Sequence, residues 1–254
     1  MNRTAPSHDH RAIQPHAAAA YLSRPEAHAP CHVRPIRTSV RVLVIPGLRD
    51  SGDTHWQTWL QGQYVDAARV SQRDWRHPDL AAWSSRIDDT LARNSRHTQW
   101  VAVAHSFGCL ALASHLAQQT AHQAATTTAA TVNVNGAKGY SDDHPPPPAR
   151  IVAALMVAPA DPVKFALTEA LPHHALGLPL TVIGSENDPW MPLDRAREWA
   201  HAWGGGFINL GQVGHINTES GFGPWPLARQ KVDHLVRQQQ RLHSSLCGTA
   251  CSAP

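Results

Sequence analysis

A serine is the first residue in this sequence that stands where chemistry can start. Val101-Ala102-Val103-Ala104-His105-Ser106-Phe107-Gly108-Cys109-Leu110 is an apolar run broken by one polar pair. A serine hydroxyl is a weak nucleophile in water. It needs exposure, a base against it, and N–H donors where an oxyanion will form. The strand-turn-helix elbow marked by G-x-S-x-G supplies all three, and small residues two before and two after the serine let strand and helix approach closely. Here the pattern reads Ala104-His105-Ser106-Phe107-Gly108, with alanine in place of the first glycine. Ser106 is therefore the candidate nucleophile; its other possible role is a helix N-cap. His105 sits beside it, but adjacent elbow residues diverge, so His105 is expected to point away.

Elbow chemistry expects an Asp or Glu and then a His farther along the chain. Leu180–Gly184 reads as a strand ending in Ser185-Glu186-Asn187-Asp188-Pro189-Trp190, and Gly206–Leu210 as a strand ending in Gly211-Gln212-Val213-Gly214-His215-Ile216-Asn217. With 18 histidines in the chain, His215 is singled out by order and context instead of by residue type. Asp188 is the favoured acid, while Asp161 in Ala158-Pro159-Ala160-Asp161-Pro162 also follows a strand, and Glu186 is a further alternative. For the oxyanion, one N–H is expected from Phe107 and the other from Leu48, in the Pro46-Gly47-Leu48 turn after the first strand; Pro46 has no N–H to offer. Trp56, Trp190, Phe222 and Trp225 lie in or beside these loops and are the expected lining of an apolar pocket.

These side chains must be held by a scaffold, and the periodicity predicts one. Val40–Ile45, Gln99–Ala104, Ile151–Val157 and Leu180–Gly184 are continuous apolar runs, with shorter candidates at Ala67–Gln72 and Gly206–Leu210. Helical stripes alternate with them at His55–Gln63, Asp79–Arg93, from after Ser106 to Gln119, Leu193–Trp203 and Pro226–Leu242. Such alternation implies an α/β fold, a mostly parallel sheet of about six strands with helices on both faces. At the carboxyl end of such a sheet, Ser106, Asp188 and His215 would share one edge.

Residues 1–38 mix Pro, His, Ala and Arg without periodicity and are expected to form a disordered arm. Residues 39–242 form the single domain, and 243–254 a disordered tail. Within the domain, the Ala-Thr repeats, Asn-Gly and tetraproline of 120–149 read as an irregular excursion.

Composition removes other classes of function. A net charge of +3 with basic residues spread along the chain is too weak a field for nucleic acid. No apolar stretch is long enough to span a membrane, and no signal-peptide core stands near the start, which points to a cytoplasmic protein. Cys31, Cys109, Cys247 and Cys251 form no closely spaced disulfide framework. Metal-ligand pairs at helical spacing are missing near the motifs, so a histidine-rich metal-binding protein is disfavoured.

Four segments in this order resemble one family. Ile45-Pro46-Gly47-Leu48-Arg49-Asp50-Ser51-Gly52-Asp53-Thr54-His55-Trp56-Gln57-Thr58-Trp59, Ala104–Gly108, Ser185–Pro189 and Gly214–Asn217 are similar to the retinoblastoma-binding protein 9 and YdeN family of small serine hydrolases. The resemblance covers roughly residues 40–240. It implies an α/β-hydrolase fold with a short or absent lid, and a triad that maps onto Ser106, Asp188 and His215, which selects Asp188 over Asp161. It also implies a carboxylesterase-like enzyme acting on small esters or related acyl compounds through an acyl-enzyme, with no cofactor and no metal. The rival reading is a binding protein that keeps the hydrolase scaffold. The excursion at 120–149 and the N-terminal arm are departures from the family's pattern, and neither touches a motif.

Overall fold

The computed structural model describes residues 40–94, 98–132 and 149–250. The expected arm at 1–38, most of the proline-bearing half of the excursion and the last four residues lie outside them. In chain order the elements are β1 (Val40–Ile45), α1 (Trp56–Gln61), β2 (Ala68–Arg69), α2 (Leu80–Ala92), β3 (Gln99–His105), α3 (Phe107–Val132), β4 (Arg150–Val157), β5 (Leu180–Gly184), α4 (Leu193–Ala202), β6 (Gly206–Asn209) and α5 (Pro226–Ala250).

The long strands are apolar at almost every position because both faces of the sheet are covered. On β1, Leu43 and Ile45 meet one helical layer while Val40, Val42 and Val44 meet the other; on β3, Trp100, Ala102 and Ala104 alternate in the same way with Val101 and Val103. The first layer is built by α2, α3 and α4 with Trp83, Ile87, Leu110, Leu116 and Trp199. The second is built by α1 and α5 with Trp56, Leu60, Val232 and Val236. Each large apolar side chain buried in this way contributes about 1.5–3 kcal/mol relative to exposure. Asp79 starts α2, its carboxylate accepting from the Ala82 amide at 3.0 Å, the usual way to satisfy an orphan first-turn donor.

All six strands are parallel, in the order β2-β1-β3-β4-β5-β6. The chain steps from β1 out to the edge strand β2, then returns to β3 and proceeds in the other direction. Loops after β1 and β3 therefore part to opposite faces, opening a crevice at the carboxyl edge. Between β4 and β5 the described chain makes two short 3-10 turns, Pro162–Phe165 and Thr168–Ala170. No helical lid covers that edge among the described residues.

Two helices outrun the sequence reading. α3 continues to Val132 and α5 to Ala250, past the expected ends at Gln119 and Leu242. Residues 120–132 therefore do not begin an irregular excursion. They contain neither Pro nor Gly, and once a helix is nucleated, alanine-rich sequence extends it at little cost.

Candidate active site

The elbow is visible in the backbone. Ser106 has φ +54°, a left-handed conformation that costs a non-glycine residue and persists only where its surroundings enforce it. Its amide donates to the Val157 carbonyl at 3.1 Å, and its own carbonyl accepts from the Cys109 amide at 3.0 Å. Contact, not dihedral freedom, dictates the two neighbouring glycines. A Cβ on Gly108 would lie 2.4 Å from the Pro46 carbonyl oxygen, and one on Gly47 would lie 2.6 Å from the Ser106 Cβ. The Pro46-Gly47 turn thus runs directly against the candidate nucleophile.

Ser106 Oγ lies 2.9 Å from His215 Nε2, and His215 Nδ1 lies 2.9 Å from each oxygen of Asp188. Both partners are nearly dry, with side chains 8% and 2% exposed for His215 and Asp188. Two loops must hold register for this to occur, and small polar side chains stitch them together. Ser185 Oγ donates to the Gly211 carbonyl and accepts from the Val213 amide, each at 3.1 Å. Asn187 Oδ1 accepts from the Gly214 amide at 2.7 Å, and Ser220 Oγ accepts from the His215 amide at 3.0 Å. A hydroxyl, a ring nitrogen and a carboxylate aligned in this way can pass a proton from oxygen to imidazole while the charge that develops is balanced.

The other two acids have different occupations. Asp161 is buried; it caps the first 3-10 turn by accepting from the Val163 amide at 3.1 Å and pairs with Arg195. Its amide donates to the Trp190 carbonyl at 3.0 Å, tying its loop to the one that carries Asp188. Glu186 is exposed and accepts from the Asn209 side chain at 2.8 Å.

Of the amides in the turns after β1 and β3, that of Arg49 is engaged by the Trp75 carbonyl and that of Ser106 by Val157. No hydrogen bond engages those of Leu48 and Phe107 among the described residues. Phe107 opens α3, and a first-turn N–H has no intrahelical acceptor. The Leu48 turn is secured from beneath by Gln57, which sequence reasoning did not single out. Its buried amide donates to the Ile45 carbonyl at 3.2 Å and the Val103 carbonyl at 3.0 Å, joining the ends of β1 and β3, while its oxygen accepts from Ser51 Oγ at 2.7 Å. Arg69 adds a bond to the Ser51 carbonyl and a pair with Asp50.

The aromatic lining divides. Trp190 is 44% exposed, with its ring 6.2 Å from that of His215 and Lys164 over its face. Trp56 is not at the mouth: it is fully buried, and its indole N–H donates to the Ile216 carbonyl at 2.8 Å. Trp225 packs edge-on between Trp56 and Phe222. Half-buried Phe222 faces a groove of about 710 Å³ beside α1, which none of Ser106, Asp188 and His215 lines. The Trp56 and Trp225 indoles stand close to site loops in sequence, but Trp56 opens α1 and Trp225 immediately precedes α5, and both enter the α1–α5 core. Phe165, unremarked in the sequence, is half-buried and packs on Phe107 at 5.1 Å.

Two further histidines lie below the site. His105 does diverge from Ser106, and its Nε2 reaches the His215 carbonyl at 3.0 Å. Burial holds its pKa well below the ordinary value, with the neighbouring His215 and His55 acting in the same direction. His55 caps α1, its Nδ1 accepting from the Gln57 amide at 3.1 Å. Its pKa is lowered to about 4, first by burial and next by the Arg69 charge. Sequence reasoning turned His105 away from Ser106 without placing it against His215 and did not single out His55; only the fold brings both under the site. Among the described residues no cluster of three or more His, Cys, Asp or Glu side chains is arranged to hold a metal ion, and no helix is long and apolar enough to cross a membrane.

Comparison with known proteins agrees with this architecture. A solved structure described as a YdeN-like hydrolase from Pectobacterium atrosepticum is 30% identical, with 79% of this chain and 91% of that one covered and a TM-score of 0.62. The ydeN gene product of B. subtilis is similar at 19% identity, covering 77% of this chain and 97% of that one, with a TM-score of 0.55. A hydrolase of the α/β superfamily from Xanthomonas campestris follows at 15% identity, 79% and 99% coverage and a TM-score of 0.50. No curated protein matches. The family model described as serine hydrolase matches residues 42–234, a span that holds the elbow, both downstream loops and the whole sheet but for the first two residues of β1. The chain has the α/β-hydrolase fold and belongs to the serine hydrolase family of which the YdeN hydrolases are members.

Proposed function

We propose that the protein is a carboxylesterase-like serine hydrolase that cleaves small carboxylic esters or related acyl compounds. The observation that carries this reading is the line of contacts from Ser106 Oγ through His215 to Asp188, with both steps at 2.9 Å. In the first half-reaction His215 accepts the Ser106 proton as the oxygen attacks the carbonyl carbon. Asp188 orients the ring and balances the imidazolium, and the Leu48 and Phe107 amides receive the oxyanion. His215 then protonates the leaving alcohol, giving the acyl-enzyme. In the second half-reaction a water, deprotonated by His215, repeats the attack and releases the acid and Ser106. No step requires a metal or an organic cofactor.

Small substrates fit the surroundings. The acyl group would rest against Leu48, Phe165 and Trp190, which are partly exposed and apolar, and no helical lid among the described residues encloses a long chain. Replacement of Ser106 by alanine tests the reading. Ser106→Ala should fold as the native protein does and lose both chromogenic-ester hydrolysis and labelling by a fluorophosphonate. A folded Ser106→Ala variant that kept most of its turnover would remove the nucleophile from the scheme.

A further inference from the structure

The residue after His215 is held in a conformation it would not choose. Ile216 has φ +51° and is fully buried, although a side chain branched at Cβ is the poorest occupant of the left-handed region. Such backbone strain persists only where its surroundings over-determine it. Here two consecutive carbonyls are held by side chains from distant parts of the chain. His105 Nε2 bonds the His215 carbonyl at 3.0 Å, and Trp56 Nε1 bonds the Ile216 carbonyl at 2.8 Å. Carbonyl oxygens only accept, so His105 carries its proton on Nε2. The two donors brace each other edge to face, with ring centroids 6.0 Å apart, and His55 packs on the outer side of His105 at 5.0 Å. His105 extends from the end of β3 beside Ser106, and Trp56 opens α1 behind the Leu48 turn. Both elements that frame the nucleophile therefore also grip the backbone of its base.

We propose that His105 and Trp56 are positioning residues that clamp the His215-Ile216 turn in its left-handed form and so fix the imidazole against Ser106. This rests on the reading of Ser106 and His215 as nucleophile and base. Loss of either donor leaves a buried carbonyl unpaired and frees Ile216 to relax toward negative φ. The peptide between His215 and Ile216 then turns, and the ring moves with it. Substrate contacts at Leu48, Phe165 and Trp190 are untouched, so the loss falls on kcat and not on KM.

The test uses Trp56→Phe, which keeps an aromatic ring and removes the N–H, and His105→Leu, compared with His105→Gln, whose amide N–H can reach the same carbonyl. Thermal unfolding verifies that each variant folds. With a chromogenic ester, Trp56→Phe and His105→Leu should each lower kcat about 10- to 100-fold, the scale of a 1 Å misplacement, with KM within about twofold of native. His105→Gln should recover at least tenfold of the His105→Leu loss. Amide hydrogen exchange at Ile216 and Asn217 should quicken in the two disabling variants while the α2–α3 amides stay unchanged. Should Trp56→Phe fail to fold, the His105 pair decides alone. Unchanged kcat, a rise confined to KM, no recovery in His105→Gln, or unchanged exchange at Ile216 overturns the clamp. A native protein that hydrolyses no ester and takes no fluorophosphonate overturns the enzymatic reading instead, and the exchange measurement then judges the clamp by itself.

Discussion

Acid should unfold this protein through a histidine that performs no chemistry. His55 is 5% exposed, and its pKa in the fold is about 4 against 6.5 in the unfolded chain. Between those values the unfolded state binds a proton that the folded state refuses, so stability falls as pH drops through the window. Above pH 6.5 the penalty is absent; below about pH 4 the folded ring also protonates and the penalty stops growing. For one site with these two values, the loss between pH 7 and pH 4.5 comes to about 2–3 kcal/mol, a large share of the roughly 5–15 kcal/mol that stabilises a domain. His105 is displaced in the same direction and steepens the decline. His55→Asn isolates the effect, because the asparagine oxygen can accept from the Gln57 amide as Nδ1 does, and asparagine is a preferred N-cap that does not titrate. The variant loses ring packing and so should be less stable than the native protein at pH 7. In urea titrations that deficit should shrink by about 2–3 kcal/mol at pH 4.5. A deficit equal at both pH values would show that His55 is not the group that acid attacks.

Two other substitutions separate the acids and probe the turn. Asp188→Asn should leave the fold intact and lower kcat by orders of magnitude, about 10⁴-fold in the serine-protease case. Asp161→Asn should leave more of kcat but depress the melting temperature, since it removes the charge at the buried end of the Asp161–Arg195 pair; equal turnover in the two variants would break the assignment. Gly47→Ala should nearly abolish ester hydrolysis because the new methyl falls within 2.6 Å of the Ser106 Cβ, and a crystal structure should show the turn displaced. Full activity in a folded Gly47→Ala protein would mean that the turn has slack that this contact denies.

The sheet was legible because its strands are buried on both sides, and a continuous apolar run such as Val101–Ala104 has few other homes. Short edge strands carry less of that signal: β2 contracts to Ala68–Arg69 where the pattern suggested six residues, since one flank has no neighbour. Ser106, Asp188 and His215 could be nominated in advance because elbow chemistry ties residue type to chain order and to strand ends. The residues alone left Asp161 open beside Asp188, the family resemblance favoured Asp188, and in three dimensions Arg195 arrives from α4 to pair with Asp161. Trp56 misled for a related reason. Adjacency to a site loop in sequence says nothing about which face of a helix the indole takes, and α1 turns it inward. His105 and Gln57 gave no sign of their roles because they reach carbonyls of remote segments, which leave no spacing to read, and His55 caps α1 through the nearby Gln57 amide in a place that only the fold buries.

Because every strand pairing in this sheet is parallel, the sheet offers no hairpin from which folding could begin. Each pair must await a crossover connection, and such non-local closure makes folding slow. The elbow strand β3 pairs with β1 and β4 in the middle of the sheet, whereas β6, which leads to His215, has β5 as its single neighbour. A refolding chain should therefore bury its tryptophans before it regains hydrolysis, with the return of turnover marking the docking of the last edge. Until that edge is seated, a chain with Ser106 already on its elbow has no His215 beside it, and under the proposed mechanism it is chemically idle toward every ester around it.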